Sequence, residues 1–204
     1  MAIYRDQILP FLIHHSMRQK NLVSYRARII PAAEGRVLEV GIGSGLNLPF
    51  YTASVDRVIG LEPSPKLLSM THAAARDVST SVDLIEGSSE AIPLNDGSID
   101  TVVTTWTLCT IPNASRALQE MLRVLKPTGR LLFIEHGRAP DASIRWWQDH
   151  LNPIWKRLSG GCELNRPIHE LIQSAGFRTE QLKAGYLFGP NPLTFFYEGS
   201  ARPR

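Results

Sequence analysis

The run Arg36-Val37-Leu38-Glu39-Val40-Gly41-Ile42-Gly43-Ser44-Gly45 constrains this chain more than any other stretch. A short apolar, β-branched segment breaks abruptly into glycines at three alternate positions. A buried parallel strand that turns sharply beneath a ligand has this pattern. Glycine reaches positive φ and carries no Cβ, so the main chain can approach a bound molecule closely. A second strand-like run, Arg57-Val58-Ile59-Gly60-Leu61, ends on an acid, Glu62. Strand, glycine turn, crossover, strand and terminal acid together lay out a nucleotide-binding unit.

The rest of the chain follows the same alternation. Residues 1–33 read as helical, and residues 1–34 are expected to form an N-terminal helical cap on a single globular unit, 35–204. Leu46 to Tyr51 should open the first helix. Ser64 and Pro65 suit the N-cap and first position of the next. Strands are expected at 82–86, 99–106 and 130–135. Between the last two lies a helix after Pro112-Asn113, stopped by Lys126-Pro127-Thr128-Gly129. Strand, helix, strand order implies a doubly wound α/β fold with a mostly parallel, seven-stranded sheet. The last third departs from it. An aromatic helix, interrupted at Pro153, precedes a helix over 167–175. Two strand-like pieces, 179–184 and 193–199, are joined without a helix and read as an edge hairpin with an antiparallel last strand.

Composition excludes several classes. A net charge of +3, with basic residues scattered along the chain, gives no nucleic-acid footprint. The only cysteines, Cys109 and Cys162, cannot make a disulfide framework and lack the spacing of a zinc site, so no metal is expected and a reducing cytoplasm is. The apolar patch Ile8 to Ile13 is short and broken by Pro10, which reads as neither a signal peptide nor a membrane span. His14, His15, Arg18 and Lys20 follow it, so the choice is between a helix packed over the active site and a weak membrane-surface contact.

The nucleotide can be narrowed further. A dinucleotide fingerprint places its third glycine three positions after the second, and here that position is Leu46. Glu39 lies two residues before the first glycine. Negative charge there is unfavourable beside a pyrophosphate and favourable beside a sulfonium. Glu62 suits a ribose diol in either case.

The run Val37 to Gly45 resembles motif I of class I S-adenosylmethionine (SAM) dependent methyltransferases. Glu62 stands where that family keeps its ribose acid, and Gly87-Ser88-Ser89-Glu90-Ala91-Ile92-Pro93-Leu94 is similar to its adenine-side loop. Asp96 to Asp100 and Leu118 to Gly129 continue the likeness, which covers roughly residues 35–137. The family commonly has Asp where this chain has Ser88, which shifts the adenine contact to Ser89 or the backbone. A narrower resemblance rests on Ser44 to Tyr51, Leu108-Cys109-Thr110-Ile111, Glu135-His136 and Gly161-Cys162-Glu163-Leu164-Asn165-Arg166. Together these are similar to the branch that includes alkyl thiol S-methyltransferases.

The resemblance implies SAM as cofactor, held by Glu39, Gly41, Gly43, Gly45, Glu62, Ser88, Ser89, Glu90, Trp106 and Thr107. It implies methyl transfer to a small acceptor, preferably a thiol sulfur. Other readings remain at this level: a phospholipid amine or quinone-type carbon as acceptor, an NAD-dependent oxidoreductase, or a SAM-binding protein without catalysis. His136, just past the fifth strand, falls where acceptors sit in open α/β sheets and is the leading base. Arg166 is the candidate for holding an anionic group or favouring a thiolate. Tyr25 and Arg26 are candidates for closing over the donor.

Overall fold

The computed structural model describes residues 4–187 and 189–204. The first three residues of the expected N-terminal helix lie outside that range. A π-helical turn (Tyr4–Ile8) leads into α1 (Leu9–Met17) and α2 (Lys20–Ile29), two helices with a break between them. The alternating region then runs β1 (Gly35–Val40), β2 (Val55–Glu62), α3 (Pro65–Ala74), β3 (Ser81–Glu86), β4 (Ile99–Thr105), α4 (Ala114–Val124) and β5 (Leu125–His136). The last third contributes α5 (Ala142–Leu158), α6 (Ile168–Ser174), β6 (Phe177–Tyr186), α7 (Asn191–Thr194) and β7 (Phe195–Pro203). The strand order is β3-β2-β1-β4-β5-β7-β6, with β7 antiparallel to both its neighbours. This is the doubly wound sheet that the alternation predicts.

Local chemistry accounts for most boundaries. Ser64 Oγ accepts from Leu67 N at the start of α3, and Asn113 Oδ1 accepts from Arg116 N at the start of α4. Both side chains satisfy an amide that the helix itself cannot. In β1, Leu38 and Val40 enter the core under α4 and α6, while Val37 packs on the opposite face with Ile42, Leu48 and Val58. Alternate side chains thus fill both layers, as a strand covered on two faces requires.

Three expectations are corrected. Leu46 to Tyr51 forms only a single 3₁₀ turn, Leu48–Phe50. Gly45 and Pro49 make longer helix costly there, so the first crossover is a loop whose side chains can reach back to β1. Pro153 does not interrupt α5, which continues through it to Leu158. Lys126 to Gly129 is not a loop ahead of the fifth strand. Leu125 pairs with Ile99 and Arg130 with Thr101, so these residues bulge within β5.

No helix among the described residues is long and apolar enough to cross a membrane.

Candidate active site

A cavity of about 1720 Å³ opens at the carboxyl ends of β1, β2, β4 and β5, where the strand order reverses between β1 and β4. Open α/β sheets place ligands at this switch point. The N-terminal cap forms part of its wall, through Leu9, Leu12, Ile13, Leu22 and Arg26.

At one end the glycine hairpin passes under the cavity. Gly41 sits at φ 68°, and a Cβ there would lie 2.3 Å from Thr107 Cγ2. Gly43, at φ 60°, would meet nothing closer than its own hairpin carbonyl, Gly41 O, at 3.8 Å. The first glycine is thus required by packing, and the second leaves an open cradle of backbone. Glu62 braces this cradle. Its Oε2 accepts from Gly43 N at 3.1 Å and its Oε1 from Ser64 N at 3.0 Å. Each oxygen keeps an acceptor position for a hydroxyl of a vicinal diol. Burial pushes the Glu62 carboxyl above its ordinary value, and the two backbone donors oppose that shift.

Glu39 is fully enclosed beneath the hairpin. Asn47 Nδ2 and Tyr51 OH donate to its two oxygens at 2.8 and 2.7 Å. Burial raises its pKa to about 7, against those hydrogen bonds and the positive charge of Arg26. Both oxygens are engaged, so Glu39 acts on a cation by its field and by fixing the loop. Arg26 enters the network from α2. Its Nε donates to Asn47 Oδ1 at 3.0 Å and its guanidinium lies 4.9 Å from the Trp106 ring centroid. Burial pulls its pKa down to about 10, so it stays charged at neutral pH. Sequence reasoning named Arg26 but found no signal separating it from an ordinary amphipathic helix. Its neighbour Tyr25 packs edge-on against Phe196 and under Arg28 instead.

Ser88, Ser89 and Glu90 all line the cavity past the end of β3. Ser88 Oγ accepts from Glu90 N, Ser89 is buried, and Glu90 Oε1 accepts from Asn113 N. Trp106, just past β4, is the only non-glycine residue at positive φ among those described, at 52°. A bulky side chain in this region marks local strain, which collects at functional sites. Asp100, grouped with the glycines in the motif, lies at the opposite end of the sheet. It accepts from Arg36 N and Lys126 Nζ there, because β4 begins where β1 begins.

The other end of the cavity is built around the segment after β4. Glu135, buried and pushed up to about 7 by desolvation, accepts from Thr104 Oγ1 and Thr107 N. Arg166 donates to Leu108 O and Ile111 O from above and pairs with Glu163 at 2.7 Å. Its guanidinium is taken up by these contacts within the loop. Between these clamps lie Cys109, His136 and Cys162. Cys162 Sγ is 3.5 Å from Cys109 Sγ and 3.5 Å from His136 Nδ1. Sequence spacing gave no hint of this cluster, because its members come from three separate segments.

The comparisons agree with this geometry. Residues 38–133 match the model of the methyltransferase domain family. The human thiol S-methyltransferase TMT1A is 34% identical over 164 residues, 78% of this chain and 66% of the relative. Human TMT1B is 35% identical over 160 residues, 76% of this chain and 65% of the relative. The matched region thus spans just under two thirds of either relative's length. Among solved structures, a SAM-dependent methyltransferase from Methanosarcina mazei superposes with a TM-score of 0.66 at 20% identity. That match covers 94% of this chain and 96% of the other. The open glycine cradle and the free acceptor positions of Glu62 fit an adenosyl group. The chain therefore belongs to the class I SAM-dependent methyltransferases, with SAM as its methyl donor.

Proposed function

We propose that this chain methylates the sulfur of a small, largely apolar thiol. The observation that carries the reading is that relatives sharing about a third of its residues over three quarters of its length are thiol S-methyltransferases. The cavity supports it. Its walls away from the hairpin include Leu9, Ile13, Leu193 and Phe196, which suit an apolar body.

SAM, when bound, supplies an activated methyl on a sulfonium. The chain's own residues then have three tasks. Gly41, Gly43 and Gly45 let the backbone approach the donor, Glu62 receives its ribose hydroxyls, and the loop of Ser88, Ser89 and Glu90 covers its adenine. The N–H groups of Arg26 beyond Nε suit the donor's carboxylate. His136 stands where a group that assists loss of the acceptor's proton belongs. A free thiol of pKa about 8.5 is only a few per cent ionised at neutral pH, so such assistance matters.

Exposed Ile8, Phe11 and Leu12, together with Ile154 and Leu158, give the cap and α5 an apolar outer surface. It suits peripheral contact with a membrane from which an apolar acceptor could partition, in a reducing cytoplasm.

Release of S-adenosylhomocysteine should be measured against a panel of thiols, amines, phenols and phospholipids. Thiols should give the highest kcat/KM. A phospholipid amine or a phenol ahead of every thiol would overturn the acceptor assignment.

A further inference from the structure

The cluster at the acceptor end has a geometry that general acid–base chemistry does not need. Cys109 follows β4, His136 ends β5 and Cys162 follows the Gly160-Gly161 turn, yet their donor atoms all lie within 4.8 Å of one another. Zinc bonds to thiolate and imidazole are about 2.3 and 2.0 Å, so tetrahedral coordination sets S···S at about 3.7 Å and S···N at about 3.5 Å. The observed edges, 3.5 Å between the sulfurs and 3.5 Å from Cys162 Sγ to His136 Nδ1, have these dimensions.

The surroundings of the imidazole bear on which nitrogen would ligate. His136 is only 8% exposed, and its Nε2 is buried with no hydrogen-bond partner among the described residues. Among the described residues no carboxylate or carbonyl bonds either ring nitrogen, and the polar neighbours of the imidazole are thiols. Nδ1, which faces the sulfurs, is the nitrogen a cation there would take; Nε2 lies on the other side of the ring, where a ligating histidine ordinarily gives its N–H to a carboxylate, a carbonyl or water. The thiols are no better held, with Trp106 O at 3.7 Å and Thr110 Oγ1 at 3.6 Å from Cys109 Sγ.

We propose that Cys109, His136 and Cys162 bind one thiophilic divalent cation, with zinc as the reference ion, and leave its fourth position open to the cavity. Two thiolates and a neutral imidazole balance a divalent charge, which a buried site requires. Thiolate ligands favour zinc over magnesium or calcium. All three residues line the cavity that also holds the glycine hairpin. Three protein ligands with an open fourth position are the pattern of catalytic rather than structural zinc.

The catalytic consequence rests on the thiol reading above. The acceptor R–SH replaces water at the open position, its S–H bond breaks, and the proton leaves to solvent water. The sulfur stays bound as a thiolate and keeps a lone pair for the methyl. His136 is then a ligand, and the cation supplies the acidification otherwise asked of a free imidazole. A Cys109–Cys162 disulfide is the competing fate. It would require the sulfurs to close to about 2.05 Å and would leave His136 unpartnered.

The test uses the full chain, purified with reductant, stripped by chelator, and titrated with Zn²⁺ and with Co²⁺. One equivalent of each should bind, and the cobalt form should show sulfur-to-cobalt charge-transfer absorption. Cys109→Ser and Cys162→Ser should each weaken binding at least about tenfold, while a SAM-induced thermal shift shows that each variant is folded. No zinc above a protein control, undiminished zinc in the double variant, or a Cys109–Cys162 disulfide formed in place of metal would overturn the site. Stoichiometric zinc with thiol turnover indifferent to chelation would support the site and overturn its catalytic role. Stoichiometric zinc with no thiol methylated would leave the site standing and remove the thiol reading.

Discussion

The backbone cradle at the donor end of the cavity is drawn from one short stretch, Glu39 to Glu62, to which Arg26 and Ser88 to Glu90 are added from outside. The acceptor end is assembled from Cys109, His136 and Cys162, none within 25 positions of another. The first is fixed by backbone: positive-φ glycines, amides on a carboxylate, and a loop tied to Glu39. The second is fixed by side chains converging from the ends of two strands and a turn after α5. A backbone cradle fails when a Cβ is added, whereas a side-chain cluster fails when one donor is removed.

The sharpest way to break the donor end is Gly41→Val. The left-handed φ and the 2.3 Å approach to Thr107 should together cost about 4 kcal/mol or more of stability. SAM binding should be lost. Wild-type melting and SAM affinity in that variant would refute the packing account.

The carboxylate beneath the hairpin gives the next effect. Burial moves Glu39 from 4.5 to about 7, so between those values the native chain holds a proton that the unfolded chain has lost. Its contribution is present in full below pH 4.5 and is lost as pH rises through 7, an amount on the order of 3 kcal/mol. Denaturant titrations of the ligand-free protein from pH 5 to 8 should show stability falling, with Glu135, raised to about 7 by the same cause, sharing the slope, and Glu39→Gln should remove about half of it. Affinity for the cationic donor should move the other way, strengthening as Glu39 ionises. Stability rising over that window would contradict the assignment.

At the acceptor end, His136→Ala should lower kcat at pH 7 by about a hundredfold and leave donor affinity unchanged. Calorimetry with SAM beside steady-state kinetics separates the two. Unchanged turnover would remove His136 from the reaction. Smallest is Glu62→Gln, which keeps one acceptor and places an amide against a backbone N–H. Donor Kd should rise about tenfold to a hundredfold, with acceptor KM unaltered.

How much of this was legible in sequence follows from the same contrast. Glycine spacing, Glu39 and Glu62 are local signals, and the strand–helix alternation gave the sheet. Its antiparallel last strand was readable because 179–184 and 193–199 lie too close for a crossover helix; the expectation of a helix-free connection is corrected only by the single turn of α7, Asn191–Thr194. The missing first helix was harder. Gly45 and Pro49 oppose a longer helix there, but what fixes the loop is the reach of Asn47 and Tyr51 back to Glu39, which no local pattern shows. Arg166 was read as an anion holder because arginine near a site suggests one. Its pairing with Leu108 O and Ile111 O depends on a distant loop. Cys109 and Cys162, 53 positions apart, have no common periodicity that could announce their meeting.

Trp106 carries a consequence for both ends at once. Its left-handed backbone turns the chain between Thr105, whose hydroxyl accepts from Asn47, and Thr107, which lies under Gly41. Two residues later comes Cys109, with Glu135 and Arg166 gripping the segment from either side. The hairpin and the first thiol are therefore rungs of one stiff ladder. Displacing Thr107 thus means moving a segment that is held at both ends.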